Sequence, residues 1–365
     1  MMMMMIKTKF NIYFKQLYCL FFVTVGHGMQ YSHFLFHRNQ ISIPAEYINM
    51  WYDKNDECQV LIKNENNYYN IKIESPVPTN PFYNQKNSKI KKINHTYQNK
   101  DYVFKKGTLE DKINSKTISL HEESIIKAHN DTEFLVTQSE KNEKSWKRKG
   151  WNIKIWKKES SSSLTKIKEI TKAYLMNYHN KTLIFAEENI LNKDLTVKIG
   201  FNITLQDKKY DFTHVYKLFP LASTTKQNSL PASYVSDDGN ECVIFNEYTK
   251  RILIINKDGT QEEIDPFLVK TKQKKKEELL HSYLISRSPR SLYKDNNHII
   301  IVYDNIVIIL EKNNKIWVIK EKFDGGPFFN IASLYNNKNK TLHTFFEYPF
   351  HTNSYGIVEY PNLPT

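Results

Sequence analysis

The sequence predicts an all-β chain, built as a six-bladed β-propeller of four-stranded antiparallel blades. Three observations lead there. Short runs rich in Ile, Val, Phe and Tyr alternate with Asn-, Asp- and Lys-rich turns, the pattern of antiparallel meanders. The meanders restart at intervals of roughly 50 residues, as expected of a ring of repeats. The last meander is one strand short, and a strand-like run near the start, Tyr31 to Ile43, has no hairpin partner. That N-terminal strand is therefore expected to complete the last blade, leaving few open edges and making residues 29–365 a single domain.

Residues 1–28 are set apart as a secretory signal peptide. Lys7, Lys9 and Lys15 precede the apolar run Leu17 to Val25, and Gly26 and Gly28 follow, the order of a charged, an apolar and a small-residue region. The run is too short to span a bilayer, and the ending EYPNLPT has no hydrophobic tail. The mature protein is expected to be secreted, with no transmembrane anchor. Its formal charge falls from +13 to +10 with the leader's three lysines. Such a surface could meet acidic glycans, anionic lipid or an acidic protein. The densest basic run, Lys270 to Lys276, lacks the aromatic interleaving of a nucleic-acid site.

The first meander reads EYINMWY, CQVLIKN and YYNIKIES. Residues 76–106 follow, rich in Pro, Asn and Lys without an apolar period, and read as a long loop inside the first unit or a polar, disordered insertion. Strand patterning resumes at Ser124 with SIIKAHND, TEFLVTQS and SWKRKGWNIKIW, then KAYLMNY, TLIFAEE and TVKIGFNITL after the Ser160 to Ser163 spacer. PASYVSD, ECVIFNE and RILIINKDGTQEEI form the fourth group, with KDG as a hairpin signal. Ser291 to Phe323 is the best-formed group, four strands with strongly apolar middle members, as expected where sheets stack on both faces. FFNIASLY, TLHTFFEYP and YGIVEYP close the chain. Each group opens alike: a strand ending near an aromatic or Met, a polar turn, then an apolar strand. Those turns fall near Asn55, Asn130, Asn180, Asp238, Asp295 and Lys338.

With this architecture the chain resembles the sialidase-type propellers. Within that class, HFLFHRNQISI, EYINMWYDKNDECQVL and the ending GGPFFNIASLYNNKNKTLHTFF…SYGIVEYPN resemble the apicomplexan cysteine-rich protective antigen family. The resemblance implies a secreted, non-enzymatic adaptor of a host-cell invasion complex. Its implied partners are other parasite proteins: an EGF-rich scaffold and a receptor-binding ligand. One departure is plain. That family is named for disulfides within blades, whereas Cys58 and Cys242 fall in the first and fourth blades with no partner inside either. Opposite sides of a ring do not bring Cα atoms within the roughly 7 Å a disulfide needs. Each is expected as a thiol, or paired with another chain.

The alternative from the same resemblance is a sialidase-like enzyme or lectin for acidic sugars, and a third reading is a secreted all-β effector. A sialidase needs an arginine trio for the substrate carboxylate, because the planar guanidinium grips carboxylates in a fixed fork. It also needs a tyrosine nucleophile paired with Glu, and an acidic acid/base. The chain has Arg38, Arg148, Arg251, Arg287 and Arg290, none in the family's spacing, and SEKNEKSW has Lys141 and Glu143 where the hairpin brace carries Asp and Gly. No G-x-S-x-G, H-E-x-x-H or Walker A motif occurs, and the histidines show no metal spacing. No catalytic residue, metal or cofactor is therefore expected. Sequons at Asn94, Asn130, Asn180, Asn202 and Asn339 mark candidate glycan acceptors of a secreted chain, in numbers that an Asn-rich composition supplies by itself.

Overall fold

In the computed structural model of the chain, the described residues are 32–36 and, with short breaks, 46–72, 89–141, 150–220, 232–265, 288–347 and 355–363. They form strands with no helix, and so no helix long and apolar enough to cross a membrane. The leader and Lys270 to Lys276 lie outside them.

Among the described residues the strands group into seven four-stranded antiparallel sheets. In chain order the first holds Glu46–Tyr52, Cys58–Asn64, Asn67–Lys72 and Lys89–Ile93. The second holds Tyr97–Gln98, Tyr102–Lys105, Thr108–Asp111 and Lys116–Ser119. The third runs from Ser124–Asn130 to Leu164–Thr171, the fourth from Ala173–His179 to His214–Pro220, the fifth from Ser233–Val235 to Gln261–Ile264, and the sixth from Ser291–Asp295 to Ile316–Asp324. The seventh joins Phe329–Asn336, Thr341–Glu347 and Tyr355–Tyr360 to the N-terminal strand Ser32–Phe36. That closing strand runs antiparallel to Tyr355–Tyr360 with Phe34 opposite Ile357, so the strand without a local partner finds it at the far end of the chain.

Two expectations are corrected. The six-unit count is not met, and within the span 76–106 residues 89–93, 97–98 and 102–105 are strands. Lys89–Ile93 closes the first sheet, and Tyr97–Gln98 and Tyr102–Lys105 begin the second. Ladder hydrogen bonds come from the backbone, which Lys and Asn supply as well as Ile does. In KIKKI the apolar residues are too few, and YVFK is too short a run, to stand out against an Asn- and Lys-rich background.

The sheets are arranged as a propeller. The first strand of the third sheet touches that of the fourth, and the series continues through the fifth, sixth and seventh back to the first. First strands therefore line the axis. Sequential sheets stack through shared apolar layers. In HIIIV, Ile299 and Ile301 pack on Val243, Phe245 and Ile254 of the fifth sheet. Ile300 and Val302 pack on Leu342, Phe346 and Val358 of the seventh. Alternate residues of a strand face opposite ways, so a middle strand sandwiched between neighbours is apolar at every position. Each fully buried Ile or Val contributes about 1.5–3 kcal/mol. Equivalent layers join the third to the fourth sheet, the fourth to the fifth, and the seventh to the first.

Four of the axial strands carry a β-bulge against their neighbour, between Tyr47 and Asn49, Ile126 and Ala128, Leu175 and Asn177, and Asn330 and Ala332. A bulge increases twist locally, as strands crowded about one axis require.

Candidate functional site

The turns after the axial strands are joined by hydrogen bonds and ion pairs from sheet to sheet. In the turns of the first and the fourth to seventh sheets, Asp56, Asn180, Lys181, Asn296, Lys340 and Gly239 have positive φ. Asn and Asp adopt it at modest cost and glycine at none. At Gly239 space also matters, since a Cβ there would overlap the carbonyl oxygen of Asn180 in the preceding sheet.

These turns bond to one another. Thr182 Oγ1 donates to the Gly239 carbonyl at 2.5 Å and Asn180 Nδ2 to the Asp237 carbonyl at 3.3 Å, locking the fourth sheet to the fifth. Lys294 of the sixth sheet pairs with Glu241 of the fifth at 2.8 Å. Asp295 of the sixth, 5 % exposed, accepts from Tyr335 Oη and Lys340 Nζ of the seventh, both at 2.7 Å. Lys340 also donates to Asn337 Oδ1 at 2.7 Å. Asn337 Nδ2 then reaches past the sixth sheet to Asp237 Oδ2 of the fifth at 2.9 Å. Lys338 meets Asp56 of the first sheet at 2.8 Å. A polar ring thus runs from the fourth sheet to the first.

Beneath it lies a column of tyrosines from the axial strands. Tyr234 and Tyr293 meet edge to face at 6.2 Å between centroids, and Tyr293 and Tyr335 stand tilted at 5.7 Å. Burial pushes the Tyr234 hydroxyl up, helped by the carboxylates of Asp237 and Asp295. Burial does the same at Tyr335, where the Asp295 hydrogen bond adds to it. Burial also raises Tyr293 to about 12, against hydrogen bonds from serine that pull the other way. Where the first sheet meets the seventh, Tyr52 Oη lies 2.8 Å from His343 Nδ1, and His343 Nε2 lies 3.5 Å from Glu359 Oε2. His343 is 2 % exposed and Glu359 4 %. Tyr52 too is held up, first by burial and then by neighbouring groups, Glu359 among them. Each of these shifts is upward, away from neutral pH.

The expected site residues fall in different places. Arg251 pairs with Glu263 at 3.2 Å and Asp265 at 3.6 Å within the fifth sheet's outer part, and Arg290 with Asp304 at 2.5 Å in the sixth. The structure does not bring these two together. Arg38, Arg148 and Arg287 lie outside the described residues, as do Asn94 and Trp146. Cys58 and Cys242 are buried, at 1 % and 0 % exposure, in separate sheets and outside any disulfide. Burial pushes the Cys242 thiol up. Asn130 ends the third sheet's first strand, while Asn180, Asn202 and Asn339 are exposed. Among the described residues no three His, Cys, Asp or Glu side chains gather as a metal site would require. Sequence reasoning missed the ring formed by Asp237, Asn337, Lys340 and Tyr335. A recurring tyrosine just before the first turn of five sheets, at Tyr52, Tyr178, Tyr234, Tyr293 and Tyr335, was the signal that marked it.

The chain is an all-β propeller of small antiparallel sheets. No protein-family model matches it, and no curated protein does. Among solved structures, it is similar to a catalytically inactive variant of virginiamycin B lyase from Staphylococcus aureus, with 8% identity over 90% of this chain and 99% of that one, at a TM-score of 0.48. It is also similar to Hsv2 of Kluyveromyces lactis, with 11% identity over 84% of this chain and 96% of that one, at 0.43.

Proposed function

We propose that this chain is a secreted, non-enzymatic adaptor that holds other proteins together on a rigid propeller of seven blades, the second filled by Tyr97–Gln98 to Lys116–Ser119. The observation that carries this is the state of the polar groups near the axis. The carboxylates of Asp295 and Asp237 are engaged by lysine, tyrosine and asparagine of other sheets, and the tyrosines are buried and held protonated. Chemistry spent on joining blades fixes the shape of a ring and leaves recognition to its exposed loops. The sequence resemblance adds what such an adaptor would join: components of a parasite invasion complex, an EGF-rich scaffold and a receptor-binding ligand.

The test is reconstitution. Purified full-length chain mixed with candidate scaffold and ligand proteins is expected to give a complex of defined stoichiometry by size-exclusion chromatography with light scattering. Affinity capture from culture supernatant should recover the same components, and recovery of this chain alone in both assays overturns the adaptor reading. Release of sialic acid from a fluorogenic sialoside by the purified chain would establish the enzymatic alternative instead.

A further inference from the structure

The three exposed sequons with described surroundings are not equivalent. Asn180 is clamped. Its Nδ2 donates to the Asp237 carbonyl of the next sheet at 3.3 Å, and its backbone oxygen is packed against Gly239 so closely that no side chain fits there. The sequon threonine, Thr182, is 0 % exposed and donates to the Gly239 carbonyl. Both polar ends of this tripeptide are consumed by the junction of the fourth and fifth sheets.

Asn339 has the opposite surroundings. It is exposed, its side-chain amide makes no hydrogen bond among the described residues, while its backbone N–H donates to Asn336 Oδ1 at 3.1 Å, and its neighbour Lys338 has a side chain 76% exposed. Thr341 Oγ1 donates to the carbonyl of Asn339 at 3.1 Å and Lys340 ties the turn to Asp295 of the sixth sheet, so the neighbouring side chains anchor the turn and the Asn339 side chain stays open to solvent. Asn202 is likewise exposed, at a bend with φ of 56°, and its side chain has no hydrogen-bond partner among the described residues.

We propose that Asn339 and Asn202 are N-glycan acceptors of the folded protein, and that Asn180, despite its sequon and exposure, is not. The inference rests on the reading of the chain as secreted. The donor class is a lipid pyrophosphate-linked oligosaccharide. The Asn Nδ2 to sugar C1 bond forms as the C1 to phosphate-oxygen bond breaks, the lipid pyrophosphate leaves with the electron pair, and the nitrogen loses a proton. This transfer precedes folding, so the fold acts by selection. A glycan on Asn339 or Asn202 passes into solvent, whereas one on Asn180 crowds the Nδ2 contact with the Asp237 carbonyl at the junction of the fourth and fifth sheets.

The experiment is secretion of the full chain from a glycosylating eukaryotic host, with site-by-site mapping by mass spectrometry after enzymatic deglycosylation of the folded fraction. Occupancy is expected at Asn339 and Asn202, lost one site at a time in Asn339→Gln and Asn202→Gln, with Asn180 bare and the map unchanged in Asn180→Gln. A glycan on Asn180 of the folded, secreted protein overturns the proposal, as do bare Asn339 and Asn202. Failure of the native leader to export the chain is a separate result: it overturns the secretion reading. The same chain behind the host's own leader then still reads the acceptor sites.

Discussion

At the scale of single residues, the strongest polar commitment is Asp295, a carboxylate buried with one lysine and one tyrosine. Removing a partner from a buried charge costs more than the pair contributes, because the remaining charge is left desolvated. Lys340→Met is therefore expected to destabilise the chain by about 2 kcal/mol, read as a lower urea midpoint, and adding Asp295→Asn to it should recover part of the loss. Asp238 allows a pH test with a definite sign. Hydrogen bonds from the Ser236 hydroxyl, then from the Asn240 backbone and side chain, depress its carboxyl from 3.8 to about 2. A depressed folded value contributes stability that is present above the unfolded value and lost as pH falls through the folded one. Asp238→Asn should thus lower stability by a constant amount across pH 7 to 9 and flatten the acid limb between about pH 4 and pH 2. Cys58 and Cys242 are sealed in apolar layers, so neither should react with a thiol reagent until urea opens the fold, and early labelling would contradict their burial.

At the scale of elements, the sequence showed most where burial on both faces wrote itself into consecutive residues. HIIIV and IVIIL of the sixth sheet are such strands, and their four-strand grouping stands as read. It showed least at Lys89–Ile93 and in the short strands of the second sheet, where the ladder alone defines the strand and composition conceals it. The closing strand is the element whose removal is most informative. Deleting residues 32–36 exposes the edge of Tyr355–Tyr360, and open edges recruit other chains. The expected result is concentration-dependent association by light scattering with faster amide exchange in Tyr355–Tyr360. A monomer with unchanged exchange would show that the strand pairing contributes nothing. In the layer it protects, Phe345 is 0 % exposed, and Phe345→Ala should cost about 3–5 kcal/mol in the same denaturation assay.

At the scale of the whole molecule, Asp237 and Asn337 are 100 residues apart and belong to sheets separated by a third, yet their side chains share a hydrogen bond. Single alanine substitutions at the two positions should therefore fail to add, with a coupling of about 0.5 kcal/mol or more in a double-mutant cycle; strict additivity would mean the ring of turns is not a connected unit. The same geometry explains why the polar ring could not be read in advance. Nothing local distinguishes Asn337 from the asparagines around it, and its partner is chosen by how the sheets turn about the axis. The tyrosines were nearer to legible, because position within a repeat is a sequence property even when the contact is not.

Taken alone, the sequence determined the class and the rhythm: strands by their alternation, turns by their Asn, Asp and Lys, stacking by runs apolar at every position, and closure by a strand left over at one end and missing at the other. These follow from local backbone preference and from which residues must leave water. The tertiary structure decided the number of sheets, the meeting of Asp237, Asn337, Lys340 and Asp295, and which asparagines remain open to solvent. Those are consequences of distance between parts remote in the chain, set by the packing of one sheet on the next.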